Sequence, residues 1–293
     1  AARASHRRRF GRPCSGLWPA EGALSDAFLR QLAETDLLWT ASSQAVLEHS
    51  AGAGASVGTP WEAPEGLPGD ITLFFRHEQL SDLIGFEYEK WHGRDASEHF
   101  MAALQAIHQA DPRSLIPVFL DGENAWEYYP YNGWFFFNNL YEALEQSEHI
   151  RTVSLGQAAL THRDRRARLP RLTAGSWVAG TLATWIGHPD KNRAWELLCA
   201  AKQCADRLLA DEQLSAERRE QVLQRLAVCE GSDWFWWLGS DDGQHSAAAF
   251  DRLLRDNLKA LYRLLELPAP ASLEQPIGRG TAVQDGGTMR RAT

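Results

Sequence analysis

Over residues 1–189, short apolar runs rich in β-branched and aromatic residues alternate with amphipathic stretches, and this alternation restricts the chain to an α/β architecture. LLWTAS (37–42), DITLFFR (70–76) and LIPVFL (115–120) have strand character. Between them, SDAFLRQLAET (25–35), with Ser25 as N-cap, HEQLSDLIGFEY (77–88), residues 95–110 and residues 134–148 repeat apolar side chains at helical spacing. A helical turn or two follows at 43–49. The Gly/Pro/Ala/Ser-rich stretch 50–69 and the arginine-rich stretch 161–173 read as loops. Strands joined by helical crossovers pair in parallel, as in a barrel or an open sheet, and such folds carry their chemistry where the strands end.

From residue 190 the pattern becomes helical. NRAWELLCAAKQCADRLLA, AERREQVLQRLAVCE and SAAAFDRLLRDNLKALYRLLEL each have helical periodicity. The expected organisation is therefore an α/β domain over 1–189, a helical region over 190–267, and a disordered Pro/Gly/Thr/Arg tail over 268–293.

Two clusters stand out at predicted strand ends. IPVFLDGENAWE (116–127) stops abruptly on Asp121, Gly122, Glu123, Asn124 and Trp126. A strand running into Asp121 delivers its carboxylate to the mouth of the sheet, and Gly122 lets the backbone turn beneath it. GLWPAEG (16–22) sets Glu21 on a Pro/Gly-bounded turn just before a helix, where by itself it reads as an acid favoured by the helix dipole. A pair of carboxylates beside aromatic rings suits glycoside hydrolysis, in which one acid protonates the leaving oxygen and the other attacks or activates water. Glu123 and Asn124 read either as groups that hold Asp121 or bind sugar hydroxyls, or as turn and capping residues.

Composition narrows the partners. A net charge of −8 argues against a nucleic-acid ligand, which requires a positive groove. No apolar run has the length of a membrane span. The four cysteines, Cys14, Cys199, Cys204 and Cys229, have neither pairing nor metal spacing, and read as reduced thiols of a cytoplasmic protein. Asp241, Asp242 and His245 are too few ligands for a metal, and no cofactor is expected. Twelve tryptophans are an unusual number, and they suit either core packing or flat faces for pyranose rings.

Five ordered stretches carry a resemblance that covers residues 11–277: GLWPAEGALSDAFLRQLAETDLLWTASSQAVL, FFRHEQLSDLIGFEY, PVFLDGENAWEYYPYNG, GSWVAGTLATWIGHPDKNRAW and EGSDWFWWLG. Together they resemble the later part of glycoside hydrolase family 57, nearest its α-amylase/α-mannosidase-like members. The resemblance implies the C-terminal part of a seven-stranded pseudo-TIM barrel, a helical region closing over the cleft, and retaining chemistry on α-glucans. It implies Glu21, in Trp18-Pro19-Ala20-Glu21, as nucleophile and Asp121, in Asp121-Gly122-Glu123, as general acid and base. Trp18, Arg76, Glu123, Asn124, Trp126, Trp177, Trp234 and Trp236 are expected to bind substrate.

There are departures from the family pattern. His77 stands where the family commonly has Asp, and Leu238-Gly239-Ser240 replaces a usual Tyr-Gly-Asp run. The family's early histidine motif and first strands belong upstream of Glu21, so the partner most needed is the N-terminal part of the same polypeptide. This chain taken alone is expected to be unstable or inactive. A carbohydrate-binding or regulatory protein on the same scaffold, without turnover, is the alternative.

Overall fold

The computed structural model describes residues 2–122, 125–211, 214–239 and 244–278. It divides into two compact units, residues 2–181 and residues 182 onward.

The first unit is built on a five-stranded sheet. Its strands are β1 (Gly16–Leu17), β2 (Trp39–Ser43), β3 (Trp61–Glu62), β4 (Thr72–Arg76) and β5 (Ala167–Arg168), in the spatial order β1-β2-β4-β3-β5. β1, β2 and β4 run parallel, with Trp39 opposite Thr72 and Ser43 opposite Arg76. β3 runs antiparallel to β4 and parallel to β5, so the sheet is mixed rather than purely parallel. The two added strands come from the stretches at 50–69 and 161–173 that read as loops.

β4 is buried along its whole length, and β2 nearly so. That suits TLFFR, but WTASS carries hydroxyls into the core. Each hydroxyl is spent on a carbonyl: Thr40 donates to Leu17 O (2.8 Å), Ser42 to Gly22 O (2.6 Å) and Ser43 to Ser176 O (2.9 Å). A buried hydroxyl without a partner would cost about 1–3 kcal/mol. The polar half of β2 therefore pins the turn after β1 and the 175–181 segment to the sheet.

Helices α1 (Ala2–Phe10), α2 (Asp26–Leu32), α3 (Gln44–Ala51), α4 (Glu78–Asp82), α5 (Gly93–Ala110), α6 (Trp134–Gln146) and α7 (Leu155–Thr161) complete this unit. The hydroxyls of Ser25, Ser43 and Ser154 cap α2, α3 and α7. His77 takes the same role for α4, its Nδ1 accepting from Leu80 N (3.4 Å). Half-burial holds this imidazole below its ordinary pKa. One core packs Leu24, Leu29, Val46, Leu47, Leu73 and Phe75 together; a second joins Tyr88, Phe100 and Leu104 to Phe136 and Leu140 across α5 and α6.

LIPVFL is not a strand. It runs beside the end of β4, where His77 N donates to Pro117 O (2.8 Å), but no ladder forms. Pro117 has no N–H to give, and the N–H of Phe119 goes to the hydroxyl of Ser81 (3.3 Å). The segment still reaches the end of the sheet from which Asp121 was expected to project.

The second unit is helical among its described residues: α8 (Pro189–Leu209), α9 (Ala216–Cys229), α10 (Asp233–Trp237) and α11 (Gln244–Leu264). Leu254, Leu258 and Leu261 of α11 are fully buried, as are Ala201, Ala205, Val222 and Cys229 of its neighbours. Burial pushes the Cys229 thiol up to about 11. Residues 268–278 correct the expected tail. Leu273 is fully buried in a short turn, Ile277 N donates to Asp251 Oδ2 (3.2 Å), and Lys259 pairs with Glu274 (2.7 Å). Two apolar anchors were enough to order a Pro-rich sequence.

Candidate active site

Glu21 sits in a one-turn helix, Ala20–Gly22, which Trp18 and Pro19 join to β1. Its backbone is left-handed, φ 58° and ψ 22°, a conformation that costs a non-glycine residue about 1–2 kcal/mol. Strain of this kind concentrates at functional sites, where surrounding contacts hold it. Here the contacts are explicit. Gly22 N bonds Pro19 O (2.9 Å), Ser42 holds Gly22 O, and Trp177 N donates to Glu21 O (3.0 Å).

The side chain is fixed from the same direction. The indole N–H of Trp177 donates to Glu21 Oε2 at 2.9 Å. Trp177 meets Trp18 edge-on, with centroids 5.3 Å apart, and Trp18 stacks on Phe119 at 4.8 Å. The buried Arg76 guanidinium lies 5.8 Å from the Trp177 ring, pairs with Asp82 at 2.7 Å, and donates from Nε to Phe119 O at 3.0 Å. The result is a half-buried carboxylate held in a wall of two indoles, one phenyl ring and a paired guanidinium. All of it belongs to the first unit.

Asp121 follows Phe119 by two residues, at most about 7 Å of chain. Its side chain is half-buried. The structure thus brings Trp18, Glu21, Arg76 and Trp177 into one frame, and ties the segment leading to Asp121 into that frame through Phe119.

Other expected residues belong to other parts of the chain. Trp126 packs against Phe137 (4.7 Å) and Tyr129 (5.5 Å), in the cluster between α5 and α6. Trp234 and Trp236 belong to the second unit, where the Trp234 indole donates to Val228 O (2.8 Å) and Trp236 packs against Trp185 (5.8 Å). Glu123, Asn124, Asp241 and Asp242, with the side chain of His245, lie outside the described residues. Among the described residues no three His, Cys, Asp or Glu side chains form a metal-sized group, and no helix is long and apolar enough to cross a membrane. Sequence reasoning missed the role of Ser42 and the fit of Gly22. A short strand such as TASS, with hydroxyls on Thr40, Ser42 and Ser43, is the signal that hydrogen-bonding groups are needed there.

Gly22 has φ +61°, and a Cβ on it would meet the Trp18 ring at 2.8 and 2.9 Å. Gly22→Ala should lower stability by about 1–3 kcal/mol, read as a shift in the urea midpoint.

An α/β unit that presents a fixed carboxylate within aromatic walls beyond its strand ends belongs to a recurrent class of sites in parallel-strand proteins. The model of glycosyl hydrolase family 57 matches residues 1–170, more than half of the 293 residues, and the chain belongs to that family. Solved structures agree on the fold. A family 57 branching enzyme from Thermococcus kodakaraensis, in complex with glucose and additives, aligns with a TM-score of 0.68 at 14% identity, over 89% of this chain and 60% of that one. The 4-α-glucanotransferase of Thermococcus litoralis aligns with 0.67 at 16% identity, over 88% and 43%. The α-amylase AmyC of Thermotoga maritima aligns with 0.62 at 14% identity, over 90% and 61%. The chain therefore spans less than two thirds of the length of these structures. A search among curated proteins gave no match.

Proposed function

We propose that the polypeptide carrying this chain is a retaining enzyme of α-glucans or related oligosaccharides, a hydrolase or glucanotransferase, with Glu21 as nucleophile and Asp121 as general acid and base. In this reading the first unit is the later part of a seven-stranded pseudo-TIM barrel whose early strands come from sequence outside this chain. The helical region 190–267 supplies Trp234 and Trp236 as further sugar contacts, and the protein is cytoplasmic.

One observation carries the reading: the Trp177 indole holds the strained Glu21 carboxylate. A carboxylate oriented in this way is suited to in-line attack on an anomeric carbon. Asp121 gives its proton to the departing glycosidic oxygen as the bond to carbon breaks, and Glu21 becomes a glycosyl ester. Asp121, now ionised, removes a proton from water or from a sugar hydroxyl, which attacks the ester and frees Glu21. Two inversions give net retention. Glu123 and Asn124 complete the sugar contacts near Asp121.

The natural polypeptide incubated with maltoheptaose and followed by proton NMR should give products whose new reducing ends, or new linkages, are first α. First-formed β anomers would contradict retention. Oligosaccharide binding without bond cleavage would favour the non-catalytic alternative. Trp177→Phe keeps the ring and removes the donor to Glu21, so kcat should fall roughly tenfold, the worth of one hydrogen bond to a charged group, with KM little changed.

A further inference from the structure

Four large aromatic side chains lie open to solvent within eight residues of chain: Tyr128, Tyr131, Trp134 and Phe135, exposed by 60%, 78%, 65% and 51%. The first of them, Tyr128, lies seven residues after Asp121 in sequence. The backbone that presents them is strained as well, since Tyr131 and Asn132 are both left-handed at φ 54° and lead into Gly133 at φ 79°. A bulky aromatic residue rarely adopts that conformation, and here it lifts the most exposed ring of the group away from the core. Tyr131 meets Phe135 at 85° with centroids 5.3 Å apart, so the two rings form an open right-angled corner. The base of this corner is rigid. The side-chain amides of Asn138 and Asn139 bond Trp134 O (2.8 Å) and Phe135 O (2.6 Å), and the cluster of Trp126 and Phe137 packs beneath Gly133.

Charge selects the ligand. Residues 114–150 contain six acids, Asp121, Glu123, Glu127, Glu142, Glu145 and Glu148, and no lysine or arginine. A nucleic acid or an anionic lipid surface would be repelled from such a segment. A neutral chain of pyranose rings fits it, with apolar C–H faces for the aromatic rings and hydroxyls for the phenols.

We propose that Tyr131, with Phe135 and Trp134, forms an accessory platform that receives glucose units of an α-glucan chain beyond those held next to Glu21 and Asp121, and so sets a preference for long chains. The platform rests on the α-glucan reading above, but it reads out independently of turnover.

The test uses the natural polypeptide with Tyr131→Asn, a residue that tolerates the left-handed backbone, and with Tyr131→Trp, which restores a ring. Tyr131→Asn should raise KM for amylose about tenfold, one stacking contact's worth, while kcat/KM on a short aryl α-maltoside stays within about twofold and Tyr131→Trp recovers the long substrate. Equal effects on long and short substrates, or none on either, would overturn the platform. So would sedimentation showing that Tyr131→Asn disperses an oligomer, which would make the patch an interface between copies. If the polypeptide cleaves no glucan, migration in amylose-containing native gels still decides. Retardation lost in Tyr131→Asn but kept in Glu21→Gln supports the platform even though the catalytic reading has failed, and equal migration of wild type and Tyr131→Asn overturns it.

Discussion

Glu21→Gln should lower kcat of the natural polypeptide by at least about 1000-fold, because it removes the proposed nucleophile of the first step. The substitution is a clean probe of chemistry. Gln has the same shape, and its amide oxygen still accepts from the Trp177 indole, so the left-handed turn and the aromatic wall around it persist. Folding, followed by the urea midpoint, should change by less than about 1 kcal/mol, as for a conservative change at a half-buried site. Azide supplied with an α-glycosyl fluoride offers a second check. In the variant it should attack in place of the missing carboxylate and give the β-glycosyl azide. A variant that keeps a tenth of the activity would remove Glu21 from the mechanism.

Asp121→Asn should have the second largest effect, and a different one. General acid catalysis contributes about 100- to 10,000-fold, most where the leaving group is poor. Hydrolysis of maltooligosaccharides should therefore fall by that factor. An aryl glycoside with an acidic phenol needs no proton on departure, so its first step should survive and the glycosyl ester should accumulate. Added azide, which needs no general base, should release the ester as the α-glycosyl azide. An equal loss on all substrates, with no azide effect, would point to damage to the fold rather than to loss of an acid.

The elements that sequence made legible are those whose pattern is local. DITLFFR and LLWTAS read as strands because each holds a short run of large apolar side chains, and α5, α8 and α11 read as helices from their spacing alone. β3 and β5 were not legible. Each is two residues long, and each exists only because Trp61 finds Leu73 on one side and Ala167 on the other, pairings set by the tertiary fold. LIPVFL misled because its apolar pattern is that of a strand, while Pro117 withholds the donor a ladder requires.

At the site, Glu21 and Asp121 were visible as acids at turns, but the roles proposed for them came from the family resemblance. The contact that positions Glu21 spans 156 residues, from Trp177, and no periodicity records it. Trp126 shows the converse. Beside an acid it reads as a sugar contact, yet its ring packs on Phe137 and Tyr129, where indoles serve a core equally well.

The separation of the Glu21 and Asp121 carboxyl groups, measured in a crystal of the natural polypeptide with a bound oligosaccharide, tests the central claim most directly. Retention through a glycosyl ester predicts about 5–5.5 Å, with the anomeric carbon between the two. Carboxyl groups more than about 10 Å apart, beyond even the spacing of inverting enzymes, would contradict it.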